Sequence, residues 1–229
     1  TGGHFVVVGA RPNTGKTSFH ASIIASPHGF AEQGARCLVL CNEEPPKIVR
    51  ARYSCAGTGM ILKEQEANPS KANMKYAKVK PNISLVDSTG EEMSWVETAI
   101  KTDKPDIVIL DMGHKFAART SDKTDVYLKD AAIHARNLAK QYNCVIFWMT
   151  QLSASAEGLA TPDQSMIEGS RTGLAAEADL MILIAKNRVV EGAEMEDEER
   201  HLNIAKNKIS GFHGRITCQL AGDIAQYTA

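Results

Sequence analysis

Short apolar runs of strand length alternate with longer stretches of helical spacing along most of the chain. The runs predict strands at His4 to Gly9, Arg36 to Cys41, Ile83 to Val86, Asp106 to Leu110, Val145 to Thr150 and Leu180 to Ala185. The stretches between them predict helices at Lys16 to Ala25, about Pro46 to Ala56, about Glu91 to Thr102 and Asp125 to Gln141. Strands that are apolar on both faces and alternate with helices indicate a parallel sheet covered on two sides.

The C-terminal part of the chain has a different pattern. Residues His201 to Ile204 and Arg215 to Leu220 alternate like antiparallel strands around "SGFHG", which predicts a β extension at the edge of the sheet. The stretch "KEQEANPSKANMKYAKVK" is interpreted as a polar, mobile connection, and Glu191 to Arg200 as an acidic surface loop. Because no internal repeat interrupts this order, we expect residues 1–229 to form one domain.

Composition and net charge limit the classes of protein to which the chain can belong. With 43% hydrophobic and 23% charged residues, the chain of 229 residues is an ordinary globular sequence. A net charge of −1 gives no general attraction to nucleic acid or anionic membrane, so a nucleic-acid contact has to be local or built from several subunits.

The cellular setting is predicted from cysteines and apolar runs. The five cysteines are an odd number without a CxxC pair, which indicates a reducing, cytoplasmic compartment. No apolar run reaches the length of a membrane span. The first residue is Thr1 rather than Met, and a strand begins at the fifth or sixth residue, so we expect a fragment of a longer protein or a processed one.

The loop after the first strand carries the clearest motif. In "VVVGARPNTGKTSF" the segment Gly15-Lys16-Thr17 fits the end of the pattern G-x-x-x-x-G-K-[ST], with Ala10 where the first glycine is expected. In such loops backbone N–H groups at a helix start hold phosphates, the lysine neutralises them, and the hydroxyl binds Mg²⁺. The alternative, a glycine-rich turn with an exposed lysine, leaves a cation opposing the helix dipole. We therefore assign to the nucleotide Arg11, Pro12, Asn13, Thr14, Gly15, Lys16, Thr17 and Ser18.

Polar side chains follow three other predicted strands. Glu43 and Glu44 end "CLVLCNEE", Asp111 ends "DIVILD", and Gln151 ends "VIFWMTQ". Asp111 after four apolar residues has the Walker B pattern and is expected to hold the Mg²⁺ shell together with Thr17. Glu43 is placed to polarise the attacking water, and Gln151 to sense the γ-phosphate and signal to the next loop. The alternative for each is a helix cap or a solvated turn, but three such strand ends together favour a site.

Taken in order, these segments resemble DnaB-type replicative helicases, including the helicase half of phage primase–helicases. The resemblance rests on "GARPNTGKTSF", "LVLCNEEP", "PDIVILD", "VIFWMTQLS" and "EADLMILIAKNR" followed by "LNIAKNKISGFHGRITCQL". It covers nearly the whole chain and implies a RecA-like P-loop NTPase core of α/β class, with a mostly parallel central sheet, flanking helices and a C-terminal antiparallel β extension.

The same resemblance implies an activity and partners. The expected function is NTP-driven translocation on single-stranded DNA by a ring, usually a hexamer, that unwinds the duplex ahead of it. ATP or dTTP would be the substrate with Mg²⁺, and a primase domain or partner is expected. The contents of the loops described below favour a phage or a similar replication system.

The resemblance also assigns a role to the final hairpin. Lys206 and Lys208 fall on the basic pair that reaches into the neighbouring subunit's site. Family members usually carry Arg at the position of Lys208, and a lysine cannot make a bidentate contact with a γ-phosphate. Either Lys208 works less well, or Arg188 or Arg215 substitutes; a solvated basic turn is the alternative interpretation.

The resemblance also implies that two loops, after the Walker B strand and after the strand that ends in Gln151, line the DNA channel. The first, from Gly113 to Lys123, holds Lys115, Arg119 and Lys123, which suits phosphate contacts. The second, from Leu152 to Arg171, has only Arg171 as a cation, although its backbone and the hydroxyls of Ser153, Ser155 and Ser170 offer donors. Without an aromatic ladder, contacts should be mainly to the DNA backbone.

Two other functions fit the motifs less well. A recombinase- or KaiC-like ATPase would form rings or filaments without unwinding, but the Arg-Pro phosphate loop and the Lys-x-Lys hairpin speak against it. A regulatory module that senses ATP and hydrolyses it poorly is favoured only by the lysine in the finger position. Stimulation of hydrolysis by single-stranded DNA distinguishes these alternatives.

Overall fold

A computed structural model describes residues 2–118, 124–169, 172–186 and 198–228. Several residues discussed above lie outside these ranges, namely Arg119, Lys123, Ser170, Arg171 and Arg188, as do residues 191–197 of the acidic segment.

The described residues form one sheet of nine strands with helices on both faces. The strands are β1 (His4–Ala10), β2 (Cys37–Cys41), β3 (Ile83–Asp87), β4 (Ile107–Leu110), β5 (Val145–Gln151), β6 (Leu180–Ala185), β7 (Glu199–Asn207), β8 (Gly214–Ala221) and β9 (Gln226–Thr228). The helices are α1 (Lys16–Ala25), α2 (Pro46–Thr58), α3 (Leu62–Ala67), α4 (Pro69–Tyr76), α5 (Met93–Asp103), α6 (Thr124–Gln141) and α7 (Gly173–Glu177).

The strand order explains which segments meet. It runs β3-β2-β4-β5-β1-β6-β7-β8-β9, with parallel pairing up to β6 and antiparallel pairing from β6 to β9. The predicted α/β class, with a mostly parallel sheet and a C-terminal antiparallel extension, is thereby confirmed. Because β2, β4, β5 and β1 are neighbours, the loops at their carboxyl ends share one edge of the sheet.

Successive side chains of β1 point to opposite faces of the sheet, so the strand contributes to two hydrophobic cores. Phe5 and Val7 face the core that includes α5 and α6, while Val6 and Val8 face the core that includes α1 and α2. All four side chains are buried, as expected for a central parallel strand covered on both faces.

One predicted connection is helical. The stretch interpreted as a mobile link contains α3 and α4 instead, with Pro69 in the first turn of α4, where its missing N–H costs nothing. Ala72 and Val79 are buried, so the segment is anchored at few points. Its other residues are mostly exposed and polar, which is why it shows little hydrophobic periodicity.

The C-terminal extension is also larger than predicted. The short strand β9 adds to β8, and Tyr227 within it packs edge-on against Phe19 of α1, with 5.6 Å between the ring centroids. Arg200, assigned from the sequence to the acidic surface loop, lies in β7 and is only 5% exposed.

A buried polar pair joins the two helices nearest the phosphate loop. The Nδ1 atom of His20 in α1 lies 2.8 Å from the Tyr53 hydroxyl in α2, and both side chains are fully buried. Burial, followed by the positive charges of Lys16 and Arg52, lowers the pKa of His20 to about 3. The ring is therefore neutral in the folded chain at physiological pH.

We predict that His20→Asn reduces the acid sensitivity of the fold. As the pH falls below 6.5, the ordinary pKa of histidine, the unfolded chain takes up a proton that the folded chain does not. Between pH 7 and 5 this lowers the free energy of unfolding by about 2 kcal/mol, and the variant lacks this contribution. Urea denaturation of both proteins measures the difference, and a gap that stays constant across this interval would contradict the prediction.

Candidate active site

The phosphate loop connects the end of β1 to the start of α1. Gly15 caps the helix with φ 102°, and a Cβ there would lie 2.6 Å from both Leu220 Cδ2 and the Tyr227 hydroxyl. Only glycine fits this backbone and this space. The first turn of α1 holds no acidic side chain, so its N–H groups and dipole are available to an anion.

The loop borders a cavity of about 460 Å³. Its lining includes seven of the eight residues predicted to bind nucleotide, together with Glu43, Glu44 and Gln151. Thr14 is the exception; it is buried and does not line the cavity, and neither does Asp111. The sequence-based grouping of the phosphate loop with the ends of β2 and β5 therefore corresponds to one cavity.

The ammonium of Lys16 points towards the Glu43 carboxylate, which follows β2. It is 9% exposed, and its Nζ lies 3.2 Å from Glu43 Oε2 and also contacts the sulfur of Met112. A phosphate oxygen bound by this ammonium would thus lie close to the Glu43 carboxylate.

Asp111 is a buried carboxylate without a hydrogen-bond partner in the described ranges. It is 1% exposed, and both of its carboxylate oxygens are unpaired. Burial raises its pKa to about 6; Lys16 opposes the shift, and Glu43 and Glu44 add to it. Unpaired buried carboxylate oxygens are costly, and they suit a hard cation such as Mg²⁺.

The donor set fits a magnesium ion shared with a substrate. Within residues 2–118, 124–169, 172–186 and 198–228 no cluster of three or more His, Cys, Asp or Glu residues offers a complete metal cage. Asp111 and the hydroxyl of Thr17 would supply part of a coordination shell, which leaves room for water and phosphate oxygens. Mg²⁺ is commonly bound in this way.

Arg52 is a cavity residue that the sequence reasoning missed. Its guanidinium forms a bidentate pair with Glu44, with 3.2 Å between Nη2 and Oε1 and a close contact between Nη1 and Oε2. Both residues line the cavity. No motif marks Arg52 in the sequence; only the packing of α2 beside the phosphate loop brings it there.

Gln151 is the register neighbour of Ala10, so the end of β5 lies beside the start of the phosphate loop. Its carbonyl accepts a hydrogen bond from the Glu168 N–H at 3.0 Å, and Leu152 pairs with Ile167. Backbone pairing therefore connects the end of β5 to the last residues of the loop spanning 152–169.

Arg11 has a different neighbourhood from the rest of the phosphate loop. It borders the cavity, but its guanidinium donates to the Leu152 carbonyl and to Glu157 Oε2, both at 2.9 Å. Its hydrogen bonds therefore go to the loop after β5.

The two hairpin lysines differ in placement. The ammonium of Lys206 donates to the carbonyls of Ala175 and, at 3.1 Å, Ala176 at the end of α7. Burial lowers its pKa, and Lys208 adds to the effect. Lys208 is exposed where β7 ends, and its backbone N–H donates to the Asp179 carbonyl at 2.7 Å. Neither lysine lines the cavity beside its own phosphate loop.

The expected DNA-contacting loops are partly described. Lys115 is exposed, yet its Nζ donates to the Asn42 carbonyl at 3.0 Å, at the same sheet edge as Glu43. Phe116 is fully buried and anchors the start of the first loop. In the second loop the hydroxyls of Ser153 and Ser155 lie 2.7 Å apart.

The cavity and fold define a P-loop NTPase core with RecA-like architecture. The family described as "DnaB-like helicase C terminal domain" matches residues 1–229, and the chain belongs to that family. The comparison with curated protein sequences gives no match.

Two solved structures are similar to this chain. One, described as an ATPase domain, superposes with a TM-score of 0.85 at 18% identity, and the match covers 98% of this chain and 84% of the other. The second, "The Structure Of A DnaB-Like Replicative Helicase And Its Interactions With Primase", has a TM-score of 0.86 at 17% identity and covers 99% of this chain. The present chain spans 57% of that second protein.

None of the helices in the described part of the chain is both long and apolar enough to cross a membrane.

We predict that Asp111→Asn stabilises the fold while weakening binding of nucleotide with Mg²⁺. The raised pKa means that ionised Asp111 destabilises the folded chain; this penalty grows as the pH rises from 3.8 to about 6 and stays constant above that. In chelator, urea denaturation at pH 8 should show the variant more stable by about 1–3 kcal/mol, with the gain lost near pH 4. A variant that is less stable than the original at pH 8 would contradict the assignment of Asp111 as an uncompensated buried charge.

Proposed function

We propose that this chain is the NTP-hydrolysing motor domain of a ring-shaped replicative DNA helicase that translocates on single-stranded DNA. The observation that carries the proposal is the buried, unpaired Asp111 carboxylate, whose pKa responds to the charge of Lys16, a residue that lines the cavity beside the phosphate loop. Membership of the DnaB-like helicase family connects this site to replication.

The substrate is ATP bound with Mg²⁺, with dTTP as the alternative nucleotide to be compared. The backbone of residues 11–18 and the side chain of Lys16 hold the β- and γ-phosphates. Asp111 and Thr17 hold Mg²⁺, which when bound neutralises phosphate charge as bond cleavage develops. The unpaired oxygens of Asp111 and the anion-compatible start of α1 support these roles.

Glu43 is the general base. Its carboxylate lies 3.2 Å from the Lys16 ammonium, so an oxyanion held by that ammonium and a water held by Glu43 are neighbours. Glu44 is held by Arg52 and is therefore less suited to take a proton from water.

Gln151 links the γ-phosphate to DNA. Its side chain borders the cavity, and its backbone is bonded to the loop spanning 152–169. That loop and the one containing Lys115 supply DNA-backbone contacts, with Arg119, Lys123 and Arg171 as further cations beyond the described residues. Contacts of this kind tolerate any sequence, as a translocating motor requires.

The active assembly is a homo-oligomeric ring, a hexamer by family analogy. Lys208 is exposed at the end of β7 and away from its own cavity, which supports a role in a neighbouring subunit's site. Lys206 helps to hold that hairpin through the carbonyls of α7. A primase partner is proposed because one similar structure is described with primase.

We predict that Lys16→Ala abolishes nucleotide binding, because it removes the main phosphate charge partner. Glu43→Gln should bind ATP normally but lose turnover by a factor of at least about 100, the usual size of a lost general base. Calorimetric titration measures binding and phosphate release measures turnover.

Glu44→Gln is the matched control for the base, because it removes the neighbouring carboxylate at the same strand end. If Glu44→Gln loses turnover and Glu43→Gln does not, the base is Glu44. Normal ATP affinity in Lys16→Ala would remove the phosphate-loop assignment.

We predict that single-stranded DNA stimulates ATP turnover of the assembled chain. Lys208→Ala should keep nucleotide binding but lose this turnover, and mixing it with Glu43→Gln subunits should restore part of it through mixed interfaces. Phosphate release is followed with the solution mass recorded alongside, and ATP and dTTP are compared. Absence of recovery in mixed rings would speak against a residue supplied by the neighbour.

The same measurements test the alternatives. Stimulated turnover without strand separation would favour a recombinase- or KaiC-like ATPase. Slow turnover by a ring, unchanged by DNA, would favour the regulatory module.

A further inference from the structure

Side chains of the C-terminal strands donate hydrogen bonds to the backbone of the phosphate loop. The guanidinium Nε of Arg200 in β7 donates to the Thr14 carbonyl at 2.9 Å. The Tyr227 hydroxyl in β9 donates to the Gly15 carbonyl at 3.1 Å and reaches the Thr14 carbonyl at 3.4 Å. Two side chains from the antiparallel extension thus contact two consecutive carbonyls of the loop. The Gly15 carbonyl also accepts the first hydrogen bond of α1, from the Phe19 N–H at 2.8 Å.

The orientation of these carbonyls matters for anion binding. A trans peptide unit is planar, and its C=O and N–H point in opposite directions. When the carbonyls of Thr14 and Gly15 are held by Arg200 and Tyr227, the N–H groups of Gly15 and Lys16 are directed away from these two donors. A carbonyl turned towards a phosphate would repel it, whereas an N–H attracts it.

Packing and burial fix the positions of Tyr227 and Arg200 in the fold. Tyr227 packs on Phe19 with 5.6 Å between ring centroids, and its backbone N–H donates to Ser22 Oγ at 2.9 Å. Burial raises the pKa of the Tyr227 hydroxyl, which remains a donor at any physiological pH. Arg200 is 5% exposed and borders the nucleotide cavity, so its charge also lies near the phosphates.

We propose that Arg200 and Tyr227 are positioning residues of the phosphate loop. Arg200 holds the Thr14 carbonyl, and Tyr227 reinforces the helix bond from the Phe19 N–H to the Gly15 carbonyl, so that the neighbouring N–H groups are preorganised for a polyphosphate. The C-terminal antiparallel strands therefore help to set the affinity for the triphosphate, and the proposal rests on the proposed function only in that this loop binds nucleotide.

Two other roles for Arg200 and Tyr227 predict different effects of their removal on stability and on ligand affinity. If the residues only anchor the C-terminal strands, their removal lowers stability but leaves phosphate affinity unchanged. If Arg200 contacts the nucleoside, its removal weakens ATP but not a polyphosphate without a nucleoside. The probes are therefore ATP and inorganic tripolyphosphate, each with Mg²⁺.

The first variant is Tyr227→Phe, which keeps the ring packed on Phe19 and removes only the hydroxyl. One lost hydrogen bond of ordinary strength predicts about fivefold weaker binding of both ATP and tripolyphosphate. Competition against a fluorescent ATP analogue measures both, and thermal unfolding without nucleotide checks the fold.

Tyr142→Phe is the matched control. It removes a hydroxyl that donates to Glu97 Oε1 at 2.8 Å, in a contact that involves no phosphate-loop residue. Its affinities should equal those of the unaltered chain. Tyr227→Phe with unchanged affinity for both probes, or with weaker binding of ATP alone, would overturn the proposal.

A second variant tests whether Arg200 acts on the same part of the phosphate loop as Tyr227. Arg200→Lys keeps a charge but loses the guanidinium geometry, and it should also weaken both probes. Because Arg200 and Tyr227 share the Thr14 carbonyl, the loss in the double variant should differ from the product of the two single losses. A fully multiplicative loss would overturn joint positioning.

The outcomes also separate this proposal from the proposed function. An unaltered chain that binds neither ATP nor tripolyphosphate overturns both. An unaltered chain that binds both probes and assembles into a ring, but shows no DNA-stimulated turnover, overturns the motor and leaves the positioning test to be decided by Tyr227→Phe.

Discussion

The Asp111 carboxylate and the Lys16 ammonium are the buried charges on which the rest of the site depends. Neither is stable in an apolar interior alone, and the attraction between them opposes the rise in the Asp111 pKa caused by burial. The compensation is incomplete, because both oxygens of Asp111 lack a hydrogen-bond partner in the described part of the chain. Burial of this carboxylate thus lowers the stability of the fold locally, and binding of Mg²⁺ with a polyphosphate is chemically suited to compensate for it.

Sheet topology is what brings these charges together. Lys16 follows β1, Glu43 follows β2 and Asp111 follows β4, far apart in sequence, yet the order β2-β4-β5-β1 places all three strand ends on one edge. The antiparallel strands β7 to β9 then close the other side of the phosphate loop, where Tyr227 and Leu220 pack against Gly15. Gly15 therefore follows a strand of the parallel part of the sheet and lies against residues of the antiparallel part.

Sequence reasoning succeeded where local pattern and chemistry coincide. The helix Lys16–Ala25 has the predicted bounds, and Glu43 and Gln151 were grouped with the phosphate loop because polar residues after apolar strands mark a sheet edge. Arg52 and Arg200 were missed because only tertiary packing brings them to the cavity. The direction of the Arg11 side chain was equally inaccessible, since a motif gives a residue's position but not its hydrogen-bond partners.

Arg11 shows how such a contact links two functional segments. Its bond to Glu157 is a surface ion pair, since that carboxylate is 70% exposed, and it contributes little. The bond to the Leu152 carbonyl matters more, because Leu152 is fully buried and pairs with Ile167 across the loop after β5. A displacement of either segment has to break this bond or carry the other segment with it. Arg11 therefore connects the cavity beside the phosphate loop to the loop spanning 152–169 through a single hydrogen bond to the backbone of a core residue.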